Sequence, residues 1–128
     1  MTKILLIEDD VLMRRMYQRI FTEKEGFQFE AVETGEEGLD KIKKSEPDLV
    51  LLDLMLPKMP GEQVLKNMND ADLLKKIPVI VLSCKGDETT VEHCLNRLGA
   101  SDYLHKSGLK PEKVIKRVKG VLKKFESG

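Results

Sequence analysis

Short apolar runs alternate with longer amphipathic segments five times along the chain, and this rhythm constrains the fold more than any other feature. The runs read KILLI, FQFEAV, DLVLL, PVIVLS and DYLH in chain order. Continuous apolar runs are typical of strands buried on both faces, whereas FQFEAV alternates as a strand near a sheet edge does. Regular alternation of strands and helices predicts a doubly wound α/β fold, with five parallel strands and helices on both faces of the sheet.

The intervening segments carry the start and stop signals of helices. Thr34 is placed to cap the second helix, and Pro111 to open the last one. Gly26 and Gly99 stand where the first and fourth helices should end. We interpret Asp10, before the first helix, as a cap or a solvated residue. Because no linker interrupts the five units, we expect a single domain over residues 1–128.

Composition and charge narrow the classes of function. The chain is 41% hydrophobic and 34% charged, which is sufficient for a packed core. Lys+Arg and Asp+Glu each number 22, so a surface adapted throughout to nucleic acid is not expected. The charge is unevenly distributed, however, with a net −5 over residues 1–64 and +5 over residues 65–128.

Localisation and redox state are also constrained by the sequence. No apolar stretch is long enough to cross a bilayer, and no cleavable signal pattern begins the chain. We therefore expect a cytoplasmic protein with no membrane partner. The two cysteines, Cys84 and Cys94, form no CxxC pair and fit reduced thiols, both expected on helices.

Polar side chains follow four of the five strands. Ligands of doubly wound sheets bind beyond the carboxyl ends of the strands, so these residues mark the candidate site. They are Glu8 and Asp9 after the first strand, Asp53 after the third, Ser83 at the end of the fourth and Lys106 after the fifth. The second strand supplies none, which fits an edge position.

Glu8, Asp9 and Asp53 converge if the first and third strands are neighbours. Three close carboxylates repel one another, and a hard divalent cation relieves that repulsion. The proposed site contains no His or Cys, which disfavours zinc and copper and favours Mg²⁺. Beside such a cation, Asp53 is placed to act as a nucleophile on phosphorus, with Ser83 and Lys106 stabilising the transferred group.

Four blocks of sequence together resemble a known family. ILLIEDD, VLLDLMLPKMPG, PVIVLSC and GASDYLHK, in this order, look like the receiver domain of bacterial two-component response regulators, as in chemotaxis regulators. The resemblance covers essentially the whole chain. It implies a flavodoxin-like sheet with the strand order 2-1-3-4-5.

The resemblance also implies a role for each matching residue. Asp53 is similar to the phosphoryl acceptor, and Glu8 and Asp9 to the acidic pair that binds Mg²⁺, with Mn²⁺ as an alternative ion. Met55 would offer its backbone carbonyl to the metal. The remaining matches are Ser83 to the switch hydroxyl, Lys106 to the invariant lysine and Tyr103 to the aromatic switch residue.

The implied function is a phosphorylation-activated switch, not an enzyme with a separate substrate. A sensor histidine kinase or a histidine phosphotransfer protein would donate the phosphoryl group, and the receiver would catalyse both its own phosphorylation and its later hydrolysis. Phosphorylation would draw in Ser83 and then Tyr103, changing the face formed by the fourth helix, the fifth strand and the fifth helix. The output would be a downstream protein or a missing output domain, with no direct contact between this domain and nucleic acid.

Two departures from the family pattern generate expectations of their own. Ser107 stands where the family usually has proline, and a cis bond before a non-proline residue costs about 2.5–4 kcal/mol. We therefore expect a trans Lys106–Ser107 bond, with Gly108 adapting the chain path. Met55 and Lys85, each two residues after a site residue, are expected to tune the phosphoryl lifetime. Because Met55 is apolar and cannot orient water, slow hydrolysis is expected.

Two alternative functions remain open from the residues alone. A phosphatase of the haloacid-dehalogenase type also uses a strand-end Asp with Mg²⁺, but Met55 stands where its second Asp belongs. A pseudo-receiver that binds partners without phosphorylation is kept open by Ser107.

The last helix is basic. Its cations are Lys113, Lys116, Arg117, Lys119, Lys123 and Lys124. They form either a solvated face or a surface for an acidic partner.

Overall fold

The computed structural model describes residues 1–127 as a central parallel sheet covered by helices on both faces. The strands are β1 (Lys3–Ile7), β2 (Gln28–Val32), β3 (Leu49–Leu52), β4 (Val79–Ser83) and β5 (Asp102–His105). All strand pairs are parallel, and the strand order is β2-β1-β3-β4-β5. The predicted fold class and strand order are therefore confirmed, including the edge position of β2.

The helices follow the predicted alternation with the strands. They are α1 (Val11–Arg19), α2 (Gly35–Ser45), α3 (Gly61–Asp70), α4 (Glu88–Glu92) and α5 (Pro111–Ser127). The chain continues from α1 and α4 into π-helical segments at Ile20–Lys24 and His93–Arg97, and a 3₁₀ turn at Leu73–Lys75 follows α3.

Two hydrophobic cores lie on opposite faces of the sheet. Successive residues of β1 point alternately into the two, with Leu5 and Ile7 in one core and Ile4 and Leu6 in the other. Each of these side chains is at most 2% exposed. A strand with both faces covered must be apolar throughout, which is why KILLI shows no polar alternation.

Local signals set the ends of the helices as expected. The Asp10 side chain accepts hydrogen bonds from two backbone N–H groups at the start of α1, and Thr34 accepts one from Glu37 at the start of α2. Gly26 and Gly99 adopt the positive φ angles of residues that end helices, +70° and +85°. The interpretation of Asp10 as a cap is therefore confirmed.

One expectation about the cysteines was wrong. Cys84 lies exposed in the loop between β4 and α4, because α4 begins only at Glu88. Cys94 is helical and buried, within His93–Arg97.

The chain path after β5 agrees with the prediction for Ser107. Residues 1–127 contain no cis peptide bond, so Lys106–Ser107 is trans, and Gly108 has a φ of +69°. No helix within these residues combines the length and apolar character needed to cross a bilayer.

Candidate functional site

The ends of β1 and β3 bring three carboxylates together. These strands are paired with Ile7 opposite Leu52, and the Asp53 N–H donates to the Ile7 carbonyl over 3.0 Å. Glu8, Asp9 and Asp53 each offer a carboxylate oxygen, and these oxygens lie within 4.8 Å of one another. Strand pairing thus delivers the convergence that the sequence predicted.

Two of these carboxylates are buried, and a lysine balances them. Glu8 and Asp53 are 2% and 4% exposed, whereas Asp9 is exposed. The Lys106 ammonium donates to Glu8 Oε1 and, over 3.2 Å, to Asp53 Oδ2. The Lys106 N–H donates to the Ser83 carbonyl over 3.0 Å, which fixes the residue at the end of β5. The single cation therefore bridges the acids of two different strands.

Burial and mutual contact shift the pKa values of Glu8 and Lys106. Desolvation raises the pKa of Glu8 to about 7, with the Asp53 charge acting in the same direction and Lys106 opposing it. Burial alone would lower the pKa of Lys106, but its contacts with Glu8 and Asp53 outweigh burial and raise that pKa. Lys106 is therefore charged at neutral pH, whereas Glu8 is poised to exchange a proton there.

Backbone contacts fix Asp53 at the end of β3. The Met55 N–H donates to Asp53 Oδ1 over 3.2 Å, and the Gly61 N–H donates to the Leu54 carbonyl over 2.9 Å. A Cβ at Gly61 would lie 2.3 Å from the Asp53 carbonyl oxygen, so only glycine allows this approach. The Met55 side chain is 56% exposed beside this turn.

The donor set fits a hard divalent cation. The cluster of Glu8, Asp9 and Asp53 offers carboxylate oxygens only, with no imidazole or thiolate. Mg²⁺ and Mn²⁺ prefer oxygen ligands of this kind. A single lysine ammonium faces the two buried carboxylates, so a cation bound there would add the positive charge needed to balance both.

A second group of residues lies at the ends of β4 and β5. Ser83 is fully buried, and its Oγ accepts the Lys85 N–H over 3.1 Å. Tyr103, 8% exposed, donates its hydroxyl to the Lys85 carbonyl over 2.6 Å. Burial raises the pKa of this hydroxyl, while its contact with Ser83 opposes the shift. Ser83, Lys85 and Tyr103 therefore form one connected network.

A family model decides what kind of site this is. The model of the response regulator receiver domain matches residues 4–119. The chain belongs to this family. It is accordingly a receiver domain of two-component signalling, and its sheet has the strand order of a CheY-type receiver.

Individual relatives agree with the family assignment. The transcriptional regulatory protein ResD of Bacillus subtilis is 33% identical over 123 residues, which are 96% of this chain and 49% of that protein. The receiver domain of a LuxO repressor protein from Vibrio parahaemolyticus superposes with a TM-score of 0.89 at 30% identity, covering 98% of this chain and 92% of that one. A chain of the CheX–CheY–BeF₃–Mg²⁺ complex from Borrelia burgdorferi is 34% identical with a TM-score of 0.84, covering 94% of this chain and 88% of that one. The receiver spans about half the length of the curated relatives it matches.

The structure adds two residues that the sequence did not single out. Arg14 of α1 donates from Nη1 to the Glu8 carbonyl over 2.9 Å, and its Nη2 lies 3.9 Å from Glu33. Glu62 of α3 pairs with the Lys85 ammonium at 3.4 Å. Arg14 lies six residues after Glu8, and Lys85 lies 23 residues after Glu62. Each contact joins residues of different elements, so no spacing rule along one helix or strand could have found it.

Proposed function

We propose that this receiver accepts a phosphoryl group on Asp53 in a Mg²⁺-dependent reaction that it catalyses itself. One observation carries the proposal. Asp53 is buried at a strand end with Glu8 and Asp9 oxygens within 4.8 Å, and a lysine ammonium lies against it. This combination supports the proposal, because phosphoryl transfer to a carboxylate needs a nucleophilic oxygen, oxygen ligands for a cation and a fixed positive charge close together.

The proposed donor is a phosphohistidine on a sensor histidine kinase or a histidine phosphotransfer protein. An Asp53 carboxylate oxygen attacks phosphorus, and a P–O bond forms as the P–N bond to the donor imidazole breaks. The imidazole leaves with the bonding electron pair and takes up a proton. In the later hydrolysis, a water oxygen attacks phosphorus, the acyl phosphate P–O bond breaks, and Asp53 recovers its carboxylate as inorganic phosphate departs.

Different residues of the receiver would bind the cation and contact the phosphoryl group in this reaction. Asp9 and Asp53 would hold the cation directly, with Glu8 acting through water and Met55 contributing its backbone carbonyl. Bound Mg²⁺ supplies charge neutralisation for the incoming phosphoryl oxygens. Lys106, already in contact with Asp53, is placed to turn from the carboxylates to a phosphoryl oxygen.

The output of the switch would pass through Ser83 and Tyr103. Ser83 Oγ would turn to the phosphoryl group, Tyr103 would follow, and the face formed by α4, β5 and α5 would change. A local charge thereby biases a surface between two arrangements. That surface would act on a downstream protein or on an output domain beyond this single receiver domain, which we take as residues 1–128. We propose that this transfer takes place in the cytoplasm, where the two free cysteines would stay reduced.

Incubation with acetyl phosphate, with and without Mg²⁺, tests the proposal by intact mass. The wild-type receiver should gain the mass of one phosphoryl group only when Mg²⁺ is present. Asp53→Asn should gain none, whereas Asp40→Asn, a change in a surface pair with Lys44 on α2, should label like the wild type. No labelling of the wild type would refute the proposal and favour a pseudo-receiver. Equal labelling of Asp53→Asn would refute it by showing that the phosphoryl group attaches to another residue.

A further inference from the structure

We propose that Glu62 is a positioning residue for the switch, acting through Lys85 to hold the loop between β4 and α4 in its resting arrangement. The inference rests on the proposed function, because it concerns the rearrangement that phosphorylation of Asp53 would drive. By opposing that rearrangement, the Glu62–Lys85 pair would lower the affinity of the Asp53 site for a phosphoryl group.

Lys85 is anchored at three points in the resting structure. Its backbone N–H donates to Ser83 Oγ over 3.1 Å, and its carbonyl accepts the Tyr103 hydroxyl over 2.6 Å. Its ammonium pairs with Glu62 at 3.4 Å, across 23 residues of chain. Lys85 therefore connects both proposed switch residues to the start of α3.

Activation would break the two backbone contacts. If Ser83 Oγ turns to a phosphoryl oxygen, it ceases to accept the Lys85 N–H. If Tyr103 then moves inward, its hydroxyl leaves the Lys85 carbonyl. The Glu62–Lys85 pair is the contact that opposes both movements from outside the network, because Glu62 lies on α3 and not on the moving loop.

The surroundings of Glu62 place it close to the same network. Burial raises the pKa of Tyr103, and the Glu62 charge adds to that shift. Burial also raises the pKa of Cys94, to about 11, where the Glu62 charge acts in the same direction and Lys85 opposes it. Glu62 therefore lies near enough to Tyr103 and Cys94 for its charge to be felt there, and the Lys85→Gln background below separates this direct charge effect from the action of Glu62 through Lys85.

The solvent exposure of the Glu62–Lys85 pair sets how much its removal should change the affinity for a phosphoryl group. The Lys85 and Glu62 side chains are 45% and 29% exposed, so solvent screens their pair. Ion pairs of this kind change an equilibrium constant by about two- to fivefold. The affinity for a phosphoryl group should therefore rise by about that factor when the pair is removed.

Titration with beryllofluoride in Mg²⁺ measures that affinity, using wild type, Glu62→Gln, Lys85→Gln and the double variant. Glu62→Gln should bind about two- to fivefold more tightly than the wild type. In the Lys85→Gln background the same substitution should change nothing, because Glu62 acts through Lys85. Asp70→Asn is the matched control, since it removes a different exposed pair, with Lys66, from the same helix.

An equal rise in both backgrounds would overturn the inference, because it would show a general charge effect of Glu62. Unchanged binding by Glu62→Gln would overturn it as well. If the wild type fails to bind beryllofluoride, or Asp53→Asn binds it equally, the proposed function fails and the inference fails with it.

Amide hydrogen exchange of the unphosphorylated protein gives a readout that does not depend on phosphoryl binding. Exchange at the Lys85 N–H should be about two- to fivefold faster in Glu62→Gln, since removing the pair frees the loop. Asp70→Asn should leave that rate unchanged. Equal exchange rates at Lys85 in wild type and Glu62→Gln would contradict the resting role of the pair.

Discussion

The two halves of the site are organised on different principles. The acidic half is formed by Glu8, Asp9, Asp53 and Lys106, and in it one ammonium balances two buried carboxylates, those of Glu8 and Asp53. In the switch half, formed by Ser83, Lys85, Tyr103 and Glu62, each polar side chain has a partner of complementary kind. The acidic half thus carries more negative than positive charge and favours binding of a further cation. The polar groups of the switch half already have hydrogen-bond or ion-pair partners. In the function proposed above, phosphorylation would have to stabilise a new arrangement of the acidic half by enough to break the contacts of the switch half.

The largest difference between the halves should appear when Lys106 is removed. In EDTA, Lys106→Met should destabilise the fold by about 3 kcal/mol, because it leaves Glu8 and Asp53 buried without a cation. Mg²⁺ should restore more stability to this variant than to the wild type. Urea denaturation measures both effects. Lys66→Met, which removes an exposed pair on α3, should cost no more than about 1 kcal/mol; an equal cost for the two variants would contradict the asymmetry.

Gly61 tests how strictly the position of Asp53 is set. Gly61→Ala should cost about 2–3 kcal/mol, because the new Cβ would lie 2.3 Å from the Asp53 carbonyl oxygen and 2.6 Å from Leu54 Cα. Gly120→Ala on α5 is the matched control. Apart from its chain neighbours and the backbone of its own helix, a Cβ there meets nothing within 4 Å, so this change should stabilise the helix by up to about 1 kcal/mol. Similar free energies of unfolding for the two variants would show that Asp53 tolerates displacement.

The protonation of Glu8 sharpens the comparison further. Its pKa is raised from 4.5 to about 7, so without a cation the folded state gains stability as the pH falls through this range and loses it as the pH rises through 7. Glu8→Gln in EDTA should therefore be more stable than the wild type at about pH 8, by about 1–3 kcal/mol. The advantage should vanish below about pH 4.5. Parallel pH profiles of unfolding for the two proteins would contradict the shift.

The switch half should give the smallest stability effect. Tyr103→Phe removes the hydroxyl that donates to the Lys85 carbonyl and should cost about 1 kcal/mol of unfolding free energy. It should also speed exchange at the Lys85 amide, because one of three anchors is lost. Tyr17→Phe, in the core on the other face of the sheet, should leave that exchange rate unchanged. Unaltered exchange at the Lys85 amide in Tyr103→Phe would show that the Tyr103 hydroxyl does not hold the loop.

The acidic half was largely predictable, because it follows from the strand order, which the family resemblance implied. Once β1 and β3 are neighbours, residues just past Ile7 and Leu52 must meet, and KILLI and DLVLL carry the apolar continuity that marks such strands. The helix cap at Asp10 was also predictable, because it depends only on the backbone N–H groups two and three residues further along the chain.

The switch half was predictable only in part. Its members Ser83 and Tyr103 follow from the family resemblance, but the Glu62–Lys85 pair joins side chains on separate elements and has no local signal. Cys84 was misplaced on a helix for a related reason. The loop after β4 runs to Asp87, whose side chain caps α4, so Cys84 lies in that loop, four residues before the helix begins at Glu88.

The most direct test of the account is the location of the phosphoryl group. Borohydride reduces an aspartyl phosphate to homoserine, which peptide mass mapping identifies by position. After treatment with acetyl phosphate and Mg²⁺, we expect homoserine at residue 53 and nowhere else in the acidic half. Homoserine at position 9, or a reduced residue outside this cluster, would contradict it.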